Sequence, residues 1–333
     1  MTAVAERSAT AAPPPAPPPR ARRRRVRAPR FTLALPAWAW YIGFFALPVL
    51  VIVVYSFGYR PNIATSENLI GLDRLSGANY GTALNATFFT VFKRTLEIAV
   101  VGTLLCLVVA LPLAYFLATK VSPRWRTLLL GLTIVPFWTS FLLRTFAWRI
   151  VLAPNGFASD QLQSLGAVSA PLQLLDTKFA VQLGVVYNYL PLMIFPLYVA
   201  FERLDPRLRE AGRDLGAGRL RTFVTVTMPL AMPGVVAGCL LVFIPLSGDY
   251  VTASILGGAK GTMVGSLVAG QFLQAQDWAL GSAMAVLLIV MILSTVAVVA
   301  LAALVVRALL ARLRRVELAS AAERVPAVER VPA

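Results

Sequence analysis

Thr95 to Ala118 reads TLEIAVVGTLLCLVVALPLAYFLA, 24 residues carrying one acid near the start and no other charge. An α-helix of that length rises about 36 Å, more than the ~30 Å hydrocarbon core of a bilayer. Five further segments are similarly apolar: 34–57, 127–152, 180–201, 233–256 and 280–306. Together they predict an all-α integral membrane protein with six transmembrane helices. Its membrane domain, 34–306, lies between tails at 1–33 and 307–333. The fourth and fifth segments are the most interrupted, both carrying prolines and the fifth an acid, Asp249. Pro48, Pro112, Pro136, Pro191, Pro196 and Pro245 punctuate the spans, and each removes a helix hydrogen bond that neighbours must re-satisfy.

The composition of the whole chain agrees. Of 333 residues, 58% are apolar and only 14% charged, which excludes a disordered chain and an ordinary soluble enzyme. Histidine is absent, removing Ser-His-Asp and Cys-His nucleophiles and the commonest metal ligand. The two cysteines, Cys106 and Cys239, both sit in apolar runs, so neither a disulfide framework nor a metal site is expected. No phosphate-cradling G-x-x-x-x-G-K-[ST] loop occurs, and Gly257 to Thr262 has the wrong spacing for one. The chain is expected to hold no cofactor. If ATP drives it, another chain binds the nucleotide.

The net charge of +16 is explained by topology rather than by nucleic acid. The segments 1–33, 119–126, 202–232 and 307–333 together hold 23 Lys and Arg, whereas the opposite side holds six. Excess basic charge marks the cytoplasmic side, so both termini are expected there, with the tail arginines beside anionic lipid. Pro13 to Pro19 and Arg22 to Arg25 give the first thirty residues the composition of a disordered tail. The apolar run that follows is too long for a signal h-region and is expected to be retained as the first span.

One loop departs from the pattern of short connections. Residues 202–234 read ERLDPRLREAGRDLGAGRLRTFVTVTMPLAMPG. Asp205-Pro206 is a helix N-cap followed by proline at the first helical position. Leu208, Ala211 and Leu215 then share a face, and Gly216 is expected to end the helix. Gly218 to Val226 reads as a second short helix that stops before Met228-Pro229. The result is a cytoplasmic helix-turn-helix lying against the membrane.

The set Glu210-Ala211-Gly212-x-x-x-Gly216, with Pro229 and Pro233-Gly234, resembles the EAA signature of ABC importer permeases. Gly212 stands where that family usually has alanine. The resemblance implies that loop 202–232 docks on a cytoplasmic ATPase, with Glu210 meeting a cation and Ala211, Gly212, Asp214, Gly216 and Ala217 at the contact. Small residues at 211, 212 and 216 would permit the close approach. The stretches from Pro136 to Trp148, Ile244 to Gly258 and Phe272 to Trp278 are similar to the first permease subunit of spermidine/putrescine importers. That likeness covers roughly residues 35–305. It implies a bacterial inner-membrane permease forming half of a solute pathway, with a second related permease, ATPase subunits and an extracytoplasmic solute-binding protein as partners. Two alternatives remain: an importer of this class for another small organic solute, and a secondary transporter or channel independent of any ATPase.

Intramembrane charge supplies the candidate pathway residues. Asp249 is the one acid well inside an apolar span, about 24 Å above Pro233. With Tyr250 and Trp138 it forms a candidate site for an ammonium group. Arg144 lies at a similar calculated height, so the alternative for Asp249 is a structural ion pair with Arg144. Glu97 is expected to pair with Arg94, three residues away.

Overall fold

The computed structural model describes residues 30–61, 69–166 and 170–323. Most of the tail at 1–33 and the end of the tail at 307–333 lie outside them, as does the arginine run. The chain divides into two compact units, Met1–Val49 and Leu50–Ala333.

The first unit contains most of helix α1 (Ala34–Tyr55). A π turn at Ile42–Ala46 precedes Pro48, which has no N–H to offer the preceding turn. Trp40 stacks on Phe44 with centroids 4.1 Å apart, and Tyr41 on Phe45 at 5.0 Å.

The second unit is built on three long helices: α2 (Ala86–Thr119), α5 (Lys178–Glu202) and α7 (Arg219–Gly248). Asn85 caps α2, its side chain accepting from the Phe88 N–H at 2.8 Å, so the helix starts nine residues before the expected span. Small residues bring these helices together, as expected where lipid is no less apolar than leucine. A Cβ on Gly102 would stand 2.7 Å from Val185, and one on Gly238 would stand 2.7 Å from the Met193 sulfur. Cys106, Ala110, Met193, Leu197, Val242 and Leu246 form the buried core between them. Both cysteines are free thiols.

Two of the expected spans are not continuous helices. The third is broken into α3 (Pro123–Ile134, ending in a 3-10 turn at Val135–Trp138) and α4 (Phe141–Val151), bent by 89°. Pro136 tightens the turn, and Thr139 and Ser140 leave helical geometry, with ψ of 150° and 135°. The fifth stops at Gly248 rather than running to 256. Asp249 then caps a separate helix, α8 (Tyr250–Gly257), and Gly258 turns with φ +49°. The segment Tyr250–Gly261 meets α9 (Val264–Leu273), unseen in the sequence, at 101°. The last helix, α10 (Trp278–Glu323), continues past the expected end at 306. Among the described residues five helices are long and apolar enough to cross a membrane, and up to seven spans result if each bent pair counts as one. The expected number, six, lies within that range.

Candidate functional site

Helix α6 (Pro206–Asp214) projects from the end of α5 as the sequence implies. Asp205 Oδ1 accepts the Arg207 N–H at 2.9 Å, and Pro206 opens the helix where no N–H is missed. The helix closes in a Schellman arrangement: Ala217 N–H donates to Gly212 C=O at 3.1 Å and Gly216 N–H to Arg213 C=O at 2.8 Å. Gly216 holds φ +81°, the left-handed conformation that an L side chain resists.

Packing gives Gly212 a contact within the hairpin. It faces Thr222 of α7, where an added Cβ would stand 3.2 Å from Cγ2. Glu210, Ala211 and Asp214 are exposed, and so are Leu208 and Leu215, the latter at 89%. Ala217 is half-buried. The second helix does not stop before Met228-Pro229. It is the first part of α7 and passes through a π turn at Phe223–Thr227 straight into the rest of that helix, with Met228 N–H reaching back to Phe223 C=O. That longer reach accommodates the donor missing at Pro229. The irregular connection therefore ends at Gly218, and the loop expected over 202–232 is a hairpin of α6 and the start of α7. Pro233 and Gly234 lie inside α7, where a Cβ on Gly234 would come 2.7 Å from Pro196 C=O of α5.

The root of the hairpin carries two groupings that the sequence did not flag. Phe223, Tyr115 of α2 and Phe201 of α5 pack ring against ring, with centroids 5.1 Å apart for Tyr115–Phe223 and 5.5 Å for Tyr115–Phe201. Beside them Glu202 accepts from Arg126 Nη1 at 3.2 Å and from the Tyr198 hydroxyl at 2.6 Å. Arg126 Nη2 also donates to the carbonyls of Ala118 and Val121. The only hint in the sequence is an acid and a tyrosine four residues apart at the end of an apolar run.

Asp249 sits at the second break, 8% exposed. Its Oδ1 accepts the N–H groups of Val251 and Thr252, each at 3.0 Å, and its Oδ2 accepts the Tyr189 hydroxyl at 3.2 Å. The ion pair with Arg144 does not form. Arg144 instead lies over the Phe137 ring, 5.0 Å from its centroid, and its Nε and Nη1 have no partner among the described residues. Tyr250 is 37% exposed and Trp138 85%. Trp138 stands on the 3-10 turn of the other bent pair and makes no hydrogen bond or ring contact with Asp249 or Tyr250. A buried polar cluster missed by the sequence reading adjoins the break: Asn188 Nδ2 donates to Thr145 Oγ1 at 3.3 Å and to Thr252 Oγ1 at 3.4 Å. An asparagine among the apolar residues of 180–201 was the available signal.

The far end of the bundle holds the remaining charges. Glu97 pairs with Lys178 at 2.6 Å rather than with Arg94, whose guanidinium donates to Ala259 C=O. The Arg94 side chain is drawn across to the end of α8, as is Arg149, which donates to Ile255 C=O at 3.1 Å. Cations at a helix C-terminus complement its dipole. In the preceding connection Tyr59 donates to Asp73, and this bond pushes its phenol pKa up. Among the described residues no cluster of three or more potential metal ligands occurs.

Comparison with known proteins bears on this arrangement. Residues 110–315 match the family described as binding-protein-dependent transport system inner membrane component. The chain is 40% identical over 253 residues to the spermidine/putrescine transport system permease protein PotB of Escherichia coli (strain K12), covering 76% of this chain and 90% of that one. It is 38% identical over 263 residues to the protein of the same name in Haemophilus influenzae, covering 79% and 90%. A crystal structure of a bacterial alginate ABC transporter, in complex with an alginate pentasaccharide-bound periplasmic protein, includes a chain of the same fold. The TM-score is 0.61 at 16% identity, covering 80% of this chain and 90% of that one.

Proposed function

Because the chain belongs to the family of binding-protein-dependent transport system inner membrane components, and is thus a multi-pass permease subunit rather than an enzyme, we propose that it forms half of a polyamine-importing pathway. Spermidine and putrescine are the proposed substrates. The observation that carries the substrate is the 40% identity to the spermidine/putrescine permease across nine-tenths of that protein.

The partners follow from the same reading. An extracytoplasmic solute-binding protein delivers substrate, and a second related permease completes the pathway. ATP is bound and hydrolysed by cytoplasmic ATPase subunits, and this chain holds no cofactor. Exposed Glu210, Leu208 and Leu215 support α6 as the ATPase-docking element: two apolar anchors flank an acid that can meet a cation on the partner, on a helix that also presents Arg207 and Arg213. ATP-driven closure of the ATPases then biases the bundle between inward- and outward-facing states. Both termini lie in the cytoplasm, as the distribution of Lys and Arg requires.

In the pathway Tyr250 and Trp138 offer exposed rings to an ammonium group. The carboxylate of Asp249, already accepting three hydrogen bonds, acts by holding α8 in place.

The test is uptake of labelled spermidine and putrescine in a host lacking other polyamine importers but supplying the ATPase, second permease and binding protein. Uptake that needs this chain and stops when ATP is depleted is expected. Assembly without uptake would remove the polyamine assignment and leave an importer for another solute. Glu210→Lys is expected to abolish uptake and release the ATPase on purification. Full uptake with the ATPase retained would refute the docking role.

A further inference from the structure

We propose that the hairpin acts on α2 and α5 through a two-part joint at its root, an aromatic socket of Tyr115, Phe201 and Phe223 and a latch of Arg126, Glu202 and Tyr198, and that these are positioning residues for transport. The proposal rests on the reading of α6 as the docking element.

The hairpin is built to carry a load rather than absorb it. Its turn is closed by two backbone hydrogen bonds across Gly216. Its two arms touch at Gly212 and Thr222, with Thr222 buried and its hydroxyl donating to the carbonyls of Ala217 and Gly218. A push on Leu208 or Leu215 is therefore delivered to the start of α7. There the helix is irregular. The π turn at Phe223–Thr227 is followed by Pro229 and Pro233, neither of which supplies an N–H. Bending costs least where the ladder is already disrupted, so this turn is the pivot.

Phe223 opens that turn and is the knob of the joint. It meets Tyr115 at 77° and Phe201 at 40°, while Tyr115 and Phe201 meet at 82°. Close-packed rings cannot interpenetrate, so a swing of Phe223 displaces the other two or is blocked by them. Phe201 is 3% exposed and has no room to yield.

The latch makes the response collective. Glu202, next to Phe201, binds Arg126 at the start of α3, and Arg126 holds the Ala118 carbonyl at the end of α2 and the Val121 carbonyl in the connection that follows. The ends of α2 and α5 and the beginning of α3 thus move as one body. Along α5, Asn188 and Tyr189 lie 12 to 13 residues from Phe201, about 20 Å of helix. They hold Thr252 and Asp249 of the broken segment. A continuous chain of packed and hydrogen-bonded groups therefore runs from the hairpin to α8.

The test uses the assembled transporter, this chain with its ATPase subunits, second permease and binding protein. Cys106 and Cys239 are replaced by serine, and spin labels are placed singly through Leu220→Cys, an exposed position on the second arm of the hairpin, and Ser254→Cys on α8. Adding ATP and vanadate, which traps ADP after hydrolysis by taking the place of the released phosphate, is expected to change the spectrum of both labels. In Phe223→Ala and Glu202→Ala the label at 220 still responds while the response at 254 falls by about tenfold, the size of a typical coupling loss. A merely structural defect would blunt both labels together. Phe223→Tyr keeps the ring and is expected to restore the response. If Phe223→Ala does not assemble, Phe223→Leu and Glu202→Gln carry the same comparison. An unchanged response at 254 in these variants overturns the joint while leaving α6 as the docking element. Loss of the ATPase from the unsubstituted chain overturns the docking reading and the joint together.

Discussion

Asp249 illustrates how one residue changes meaning once its neighbours are known. A lone acid in an apolar span invites a role in binding a cation. In the folded chain both its oxygens are already accepting, two backbone N–H groups on one and a tyrosine hydroxyl on the other. Asparagine caps helices about as well as aspartate through its amide oxygen, and its NH2, which cannot accept the Tyr189 hydroxyl proton, can instead donate to the Tyr189 oxygen. Asp249→Asn is therefore expected to keep uptake within about twofold, a limit set by the near-equal capping of the two residues. Asp249→Ala loses the cap, about 1 kcal/mol, and leaves the Tyr189 hydroxyl buried without an acceptor, about 1–3 kcal/mol more. Thermal unfolding of the purified protein and uptake measured side by side separate the two. A large uptake loss in a well-folded Asp249→Asn would restore the carboxylate to substrate binding. Arg144 makes the converse point. Equal calculated heights suggested a partner, but height along a helix says nothing about which way a side chain turns. The guanidinium lies on an aromatic face instead.

At the scale of the element, the hairpin was largely legible. Asp205, Pro206 and Gly216 each act locally, through capping, a fixed φ and a left-handed turn, and all three do in the structure what their chemistry predicts. The exit was misread because Pro229 looks like a stop signal, whereas a π turn reroutes the ladder and lets the helix run on. Gly216→Ala places a Cβ on a residue at φ +81°, at a cost of about 1–2 kcal/mol. Titrating purified ATPase against the reconstituted permease is expected to show about tenfold weaker binding, since each 1.4 kcal/mol is a factor of ten. The melting temperature of the bundle is expected to hold. Unaltered affinity would mean that the hairpin does not need its turn in order to dock.

For the whole molecule, the decisive quantities are apolar length and basic charge, and both are summed along the chain. They predict an orientation that a protease can read. With the permease expressed without its ATPase, trypsin is expected to cut at Arg207, Arg209 or Arg213 in inverted membrane vesicles. The same sites are expected to be protected in sealed, right-side-out vesicles. The opposite pattern would invert the topology. Assembly of the three long helices depends on glycines at 102, 234 and 238, where a side chain would meet the neighbouring helix. Such positions carry no periodic signal, because what matters is the surface opposite.

The sequence by itself determined the membrane class, the hairpin and its caps, and the family, because each depends on residues close together in the chain or on totals over it. The tertiary structure alone decided where spans break, which charges pair and what the hairpin rests upon. The break at Asp249 is held at one end of α8 by Asp249's own cap and at the other by Arg149 of α4, which donates to Ile255 C=O from 106 positions away. The pairs Glu97–Lys178 and Arg126–Glu202 join residues 81 and 76 positions apart. Side chains so far apart in sequence become neighbours only through the packing of α2, α3 and α5, which no local pattern encodes.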